Sequence, residues 1–202
     1  MSPELILLLA DRIGVCVFAL SGGIAAVRKD MDLFGVITLA FFPAVGGGTL
    51  RDILLDAPVF WLEDVMSLWC AIAGGLAAFF FTRFIEDFKP LRWADACGLA
   101  LFAMTGAAKA AELGFGSMII IIMGVMTATA GGVIRDLVAN RESFLFQEDI
   151  YATAALLGAI VYAGLVYFGV GEGIAFACGF VAAFALRALA IVFNLKLPKP
   201  RI

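Results

Sequence analysis

The chain has 202 residues, of which 63% are hydrophobic and 15% charged; its mean hydropathy is +1.05 and its net charge −3. Soluble domains average about 45–50% apolar and about 25% charged residues, and a folded chain of this size has too little polar surface to cover so much apolar side chain. A soluble enzyme is therefore excluded, and 14 basic against 17 acidic residues give no reason to expect a nucleic acid as partner. No histidine is present, which removes a Ser-His-Asp triad, haem ligation and the ordinary neutral-pH switch. No pairing of nucleophile and base emerges, so no enzymatic activity is expected. Cys16, Cys70, Cys97 and Cys178 are far apart and each lies in an apolar run, as buried packing residues do; no metal site or cofactor is expected.

A membrane-spanning helix needs about 20 mainly apolar residues. Taken in chain order, seven segments meet that need, at about 5–27, 33–54, 63–84, 93–112, 114–135, 149–170 and 173–194. The first is not a secretory signal, because Glu4 stands where a basic region would and Asp11-Arg12 interrupt the run. Alternation suited to a lipid-facing barrel strand is missing, so the expected fold is all-α, a single transmembrane domain over 1–202. The connections are short and polar: Arg28-Lys29-Asp30, Asp56-Ala57-Pro58, Glu86-Asp87-Phe88-Lys89-Pro90 and Arg141-Glu142. With seven spans, Arg28, Lys29, Arg83, Lys89, Arg92, Arg141, Lys196, Lys199 and Arg201 share one face, against Arg12, Arg51 and Lys109 at the other. The positive-inside rule then puts the C-terminus in the cytoplasm and the N-terminus outside, in a multi-pass protein of the inner (plasma) membrane.

Shifting the sequence by 84 residues superposes it on itself without a gap. Asp11 falls on Asp95, Gly14 on Gly98, Phe18-Ala19 on Phe102-Ala103, Ser21-Gly22 on Thr105-Gly106, Gly47-Gly48 on Gly131-Gly132 and Arg51-Asp52 on Arg135-Asp136. Of the 47 positions in 10–56, 13 are identical to those in 94–140. Shared Ala and Gly richness explains some of these, but not charged residues in register within apolar sequence. Each copy holds three segments, about 5–84 and about 93–170, with a seventh helix at about 173–194 left over. Three is odd, so the second copy enters the membrane from the opposite side, as an inverted repeat.

Two blocks in the second and fifth segments carry the chemistry. One is Pro43 with Gly46-Gly47-Gly48-Thr49-Leu50-Arg51-Asp52; the other is Gly131-Gly132-Val133-Ile134-Arg135-Asp136. Each glycine weakens a helix by about 1 kcal/mol relative to alanine, and Pro43 removes a backbone donor. The helices are expected to break there, freeing carbonyls that substitute for part of a cation's hydration shell; close helix packing by small residues is the alternative. Arg51 with Asp52 and Arg135 with Asp136 are charges at membrane depth and hence functional candidates. They either pin the helices, alone or across the repeat, or line a pore or gate. Lys109 aligns with Ala25 and breaks the symmetry, as a charge at a constriction or as a snorkelling interfacial lysine. Asp11 and Asp95 are expected to cap the first and fourth helices.

Duplicated three-helix units, a seventh helix and the doubled glycine/Arg-Asp block together resemble the trimeric intracellular cation (TRIC) channels, and more closely their prokaryotic members, also classed as a glycine-transporter family. The resemblance covers about residues 5–194. It implies a homotrimer with one pore in each protomer, lined by both repeats, with kinks at Gly46, Gly47, Gly48, Gly131 and Gly132, and with Arg51, Asp52, Lys109, Arg135 and Asp136 as gating or pore-lining charges. K⁺, with Na⁺, is the implied permeant ion, and membrane lipid is an expected partner, bound at the trimer interface; no soluble protein partner is implied. A secondary transporter of a small zwitterion such as glycine is the competing expectation, and a lipid-binding scaffold without transport a third.

Overall fold

The structure, a computed structural model, describes residues 3–81, 89–140 and 150–197. Of the basic residues expected on one face, Arg83, Arg141, Lys199 and Arg201 lie outside the described residues, as do the side chain of Lys89 and most of the connections 82–90 and 141–149. Among the described residues eight helices follow in order: α1 (Pro3–Val27), α2 (Leu33–Leu54), α3 (Phe60–Glu63), α4 (Val65–Phe81), α5 (Lys89–Glu112), α6 (Ser117–Val138), α7 (Ala152–Tyr167) and α8 (Glu172–Phe193). α3 is a single turn in the α2–α4 connection; the other seven fall on the seven apolar segments. No β-strand occurs among the described residues.

Polarity is arranged inside out. Arg51, Arg135 and Arg187 are among the largest fully buried side chains, whereas Phe34, Ile53, Met118 and Leu137 are exposed. Water would not tolerate so much apolar surface, and lipid does. Helices α1, α2, α6 and α8 are long and apolar enough to cross a bilayer; α4 and α7 are shorter and also apolar. The chain is an all-helical membrane protein. All four cysteines are free, and Cys178 lies on the surface rather than in the core.

The 84-residue spacing recurs in the backbone. α1 and α5 are each followed by a left-handed residue, Asp30 and Gly114, and α2 and α6 by Asp56 and Asn140. Within each copy the first long helix packs on the second and third: α1 on α2 and α4, α5 on α6 and α7. α8 has no counterpart and lies on α7 and α5.

Contacts between the copies are reciprocal. Phe18 and Phe102, equivalent residues, stack on each other with centroids 5.1 Å apart, and each ring covers the other copy's glycine, Gly98 or Gly14. Gly47 of α2 lies on the Thr127 carbonyl of α6, and Gly131 of α6 lies on the Pro43 carbonyl of α2. Such exchange of equivalent partners is what a local two-fold produces. The pairing of 47 with 127 and of 43 with 131 also makes α2 and α6 antiparallel where they cross.

The expected helix breaks are absent. α2 runs as one helix through Pro43 and Gly46-Gly47-Gly48, and α6 runs through Gly131-Gly132. Pro43 leaves the Leu39 carbonyl without its helical donor, and α1 presses Gly22 onto that carbonyl. At the equivalent place Thr127 donates its hydroxyl to the Met123 carbonyl at 2.6 Å, and Gly106 presses on it. The glycines close the helix interfaces: Gly46 meets Ile134, Gly48 the Phe60 ring and Gly132 the Tyr151 hydroxyl. Packing outweighs their poor helix propensity, so both helices run on through the glycines, and the carbonyl left without its helical donor is that of Leu39, opposite Pro43.

Gly47→Ala sets a methyl group against the Thr127 backbone, which cannot give way as a side chain can. It should destabilise the protein by about 1–3 kcal/mol, read as a lower melting temperature in detergent. Gly116→Ala, where the added carbon meets open space, should change it little.

Candidate functional site

Two polar clusters sit inside the apolar bundle, and they are copies of each other. In the first, Arg51 at the end of α2 donates from Nε to Asp52 Oδ1 at 2.7 Å and from Nη1 to Asp11 Oδ1 at 3.2 Å. The same Nη1 reaches Thr105 Oγ1 of the other copy at 3.4 Å. Asp52 Oδ2 accepts the Phe60 backbone N–H at 2.8 Å, and the Arg51 guanidinium lies over the Phe60 ring, 5.4 Å from its centroid. In the second, Arg135 donates from Nε to Asp136 Oδ1 at 2.9 Å and from Nη1 to Asp95 Oδ1, and it reaches Ser21 Oγ of the other copy at 2.6 Å. The Tyr151 hydroxyl donates to Asp95 Oδ1 at 3.3 Å.

Neighbouring residues on a helix point about 100° apart, yet each arginine is long enough to fold back onto the aspartate beside it. Its outer nitrogens then span to α1 and α5. Arg51 ties Asp11 to Thr105, and Arg135 ties Ser21 to Asp95, so α1 and α5 run antiparallel side by side. Ten residues separate Asp11 from Ser21, and ten separate Asp95 from Thr105; the clusters therefore lie about 15 Å apart along the bundle. A lone charge at the bilayer centre costs about 2.5–3.5 kcal/mol on insertion scales. Pairing each arginine with two carboxylates and a hydroxyl offsets that cost.

The surroundings of the two clusters differ. A cleft of about 430 Å³ reaches the first, lined by Asp11, Arg51, Asp52, Glu63, Asp64 and Lys109 among others. Lys109, half-buried at its rim, pairs with Glu112 at 3.5 Å. The wall carrying α3 is latched to α1 by Arg12, which donates to both oxygens of Asp64 at 2.8 Å, while Ser67 Oγ donates to Oδ2 at 2.9 Å. The guanidinium holds the Asp64 carboxyl below its ordinary range, so the latch is intact at neutral pH and weakens only as the pH falls through that lowered value. At the second cluster, Asp95, Arg135 and Tyr151 are almost completely buried. Arg187 of α8 closes it further, with its guanidinium over the Tyr151 ring at 5.2 Å and Nη1 donating to the Ile150 carbonyl at 3.0 Å.

Arg51, Asp52, Arg135 and Asp136 thus gather at the clusters, Lys109 stands at the cleft rim, and the five glycines line helix contacts. Asp11 and Asp95 are not caps: α1 begins at Pro3 and α5 at Lys89, which puts both carboxylates inside helices and on the arginines. The repeat alignment carries that signal, since it holds Asp11/Asp95 and Ser21/Thr105 in register with the Arg-Asp pairs. Arg187 was not singled out, although it is the one cation in the 173–194 segment, which would have marked it. Tyr151 has no comparable sequence signal.

A family profile described as glycine transporter matches residues 8–83 and again 92–167, two matches 84 residues apart. The inner membrane protein YadS of Escherichia coli is 39% identical over 194 residues, covering 93% of each chain. A solved TRIC trimeric intracellular cation channel orthologue from Rhodobacter sphaeroides is 41% identical, covers 94% of this chain and 99% of its own, and superposes with a TM-score of 0.90. A prokaryotic TRIC channel solved in 0.5 M KCl is 31% identical, with a TM-score of 0.89 over 96% of this chain and all of its own. These solved relatives are channels, not enzymes.

Removing Arg135 leaves two buried carboxylates facing each other. Arg135→Ala should cost about 3–5 kcal/mol of stability, and Arg51→Ala less, because the cleft lets water reach its aspartates. Lys109→Ala should stay within about 0.5 kcal/mol. Denaturant unfolding of the three variants in bicelles ranks them.

Proposed function

The chain belongs to the glycine-transporter family, to which the prokaryotic TRIC channels also belong, and on that premise we propose that it is a passive channel for monovalent cations, K⁺ and with it Na⁺. The observation that carries the reading is the charge of the clusters. Each core of one arginine and two aspartates has, with its carboxylates ionised, one net negative charge inside an apolar bundle; at the second, the Arg187 guanidinium stands beyond the Tyr151 ring. A path past two such sites attracts cations and repels anions.

The path runs from the cleft to Arg51, Asp52 and Asp11, then along α1 and α5 to Arg135, Asp136 and Asp95. It flanks the α2–α6 crossing, since Gly47 and Gly131 close that crossing on the facing carbonyls. The two copies form an inverted repeat in the bilayer: α1 and α5 antiparallel, α2 and α6 antiparallel, and the clusters on either side of the midplane. Arg28 and Lys29 after α1, and Lys196 after α8, put the C-terminus in the cytoplasm, so the cleft opens outside and the sealed cluster faces inward. Each protomer of a homotrimer in the inner membrane has its own path, with lipid at the subunit contacts. Voltage acts on a gating charge with about 2.3 kcal/mol per elementary charge moved through 100 mV.

The family description favours a second reading, transport of glycine. A zwitterion needs a free cation for its carboxylate, and both cluster arginines are already held by two aspartates each. Unbroken α2 and α6 offer no helix ends either. The cation reading is the stronger.

Liposomes holding the purified protein test it. Non-saturating K⁺ flux, unaffected by glycine, is expected; K⁺-tight vesicles that accumulate glycine overturn it. Lys109 opposes cations at the rim, so Lys109→Ala should raise K⁺ conductance about twofold at 0.01 M salt, where charges act over about 30 Å, and leave it near wild type at 1 M, where they act over about 3 Å.

A further inference from the structure

Away from the two clusters, a small pocket opens between α1, α5, α7 and α8, at the end of the bundle where α5 stops and α8 starts. Its lining is apolar, from Ile6, Leu7, Ala108 and Phe176, apart from Tyr162 and Glu172. Neither of these belongs to the symmetric scaffold. Tyr162 stands where the first copy has Ala78, and Glu172 opens α8, which has no counterpart. We propose that this pocket binds the primary ammonium group of a lipid headgroup, that of phosphatidylethanolamine.

Three observations carry this. Tyr162 is only 1% exposed, yet its hydroxyl has no hydrogen-bond partner among the described residues. A hydroxyl buried in that state is costly and marks a place for a further polar group. Glu172, at the exposed edge, has no ion pair among the described residues either. Glu172 and Glu112 both act electrostatically on the Tyr162 hydroxyl, and Lys109 offsets Glu112, which leaves Glu172 as the uncompensated charge. Two unpaired acceptors, one of them anionic, call for a cation that donates hydrogen bonds.

The second observation is size. The pocket measures about 20 Å³, space for one water-sized group. An ammonium group fits that space, and the trimethylammonium of phosphatidylcholine does not. The third is where the pocket opens. Leu5 and Ile174, next in the chain to Ile6 and Gly173 of the lining, are exposed apolar side chains within membrane spans. Acyl chains therefore lie along the mouth, where a free ion would gain nothing. No side chain caps α8, and Gly171 leaves open space beside the first-turn N–H groups. The headgroup phosphate, joined to the ammonium by an ethylene unit, accepts hydrogen bonds there. Leu7 lines both this pocket and the large cleft, so it alone parts the headgroup from the mouth of the proposed path.

Native mass spectrometry of the purified protein in detergent, titrated with phosphatidylethanolamine or phosphatidylcholine of the same acyl chains, reads the site. Phosphatidylethanolamine should bind about tenfold more tightly, the weight of one hydrogen bond to a charged group. Glu172→Gln and Tyr162→Phe should each bring the two lipids to within about threefold of one another. Glu63→Gln, which removes an exposed carboxylate from the large cleft, should keep the full preference. Glu172 is exposed, so its variant decides the matter if Tyr162→Phe does not fold. Equal binding of the two lipids by the wild type, or an undiminished preference in a folded variant of either residue, overturns the proposal. A preference lost as fully in Glu63→Gln also overturns it, as an effect of general surface charge. A melting temperature higher in ammonium chloride than in KCl, with no preference between the lipids, makes the occupant a free ion and overturns the lipid assignment. None of these readouts involves ion flux, so they stand apart from the channel reading.

Discussion

An arginine cannot sit in a bilayer unpaired, and each of the two Arg-Asp blocks of this chain places one there, held by two carboxylates and a hydroxyl. Most of the fold follows from meeting that condition twice. Asp52 and Asp136 are adjacent in sequence to their arginines, but Asp11, Asp95, Ser21 and Thr105 are not; they reach the guanidinium groups only if α1 and α5 lie antiparallel and in contact. That in turn requires α2 and α6, which carry the arginines, to cross closely. Gly47 and Gly131 permit the crossing, since any side chain there would strike the opposing carbonyl. Charge pairing and glycine placement are thus two sides of one geometric requirement.

Duplication makes the scaffold symmetric, but not in every part. Three of the differences fall at the ends of the proposed path. Lys109 replaces the small Ala25 and stands at the open rim; Tyr151 replaces Ser67 and stands over the sealed cluster; α8 adds Arg187, for which the first copy has no equivalent. The middle of the proposed path keeps the same set at each cluster, one arginine, two aspartates and a hydroxyl.

Much of this was legible in the sequence, because lipid imposes a simple rule on helix length and charge. The seven segments and the 84-residue spacing both emerge from it. The helix breaks expected at Gly46-Gly47-Gly48 and Gly131-Gly132 do not, because glycine propensity is a local cost of about 1 kcal/mol that interhelical packing outweighs. Asp11 and Asp95 read as caps because a carboxylate near a helix start meets the helix dipole, whereas α1 and α5 begin eight and six residues before them and bury both. Tyr151 could not be singled out, since its role depends on α7 and α8 meeting α5, which no spacing encodes.

The central claim is that two buried cores, each of one arginine and two aspartates, make a cation path through the chain. Its most direct test is the reversal potential of the purified protein in a planar bilayer under a tenfold KCl gradient. A reversal approaching about 59 mV, of the sign that balances K⁺, is the predicted result. A reversal at zero or on the chloride side would contradict it.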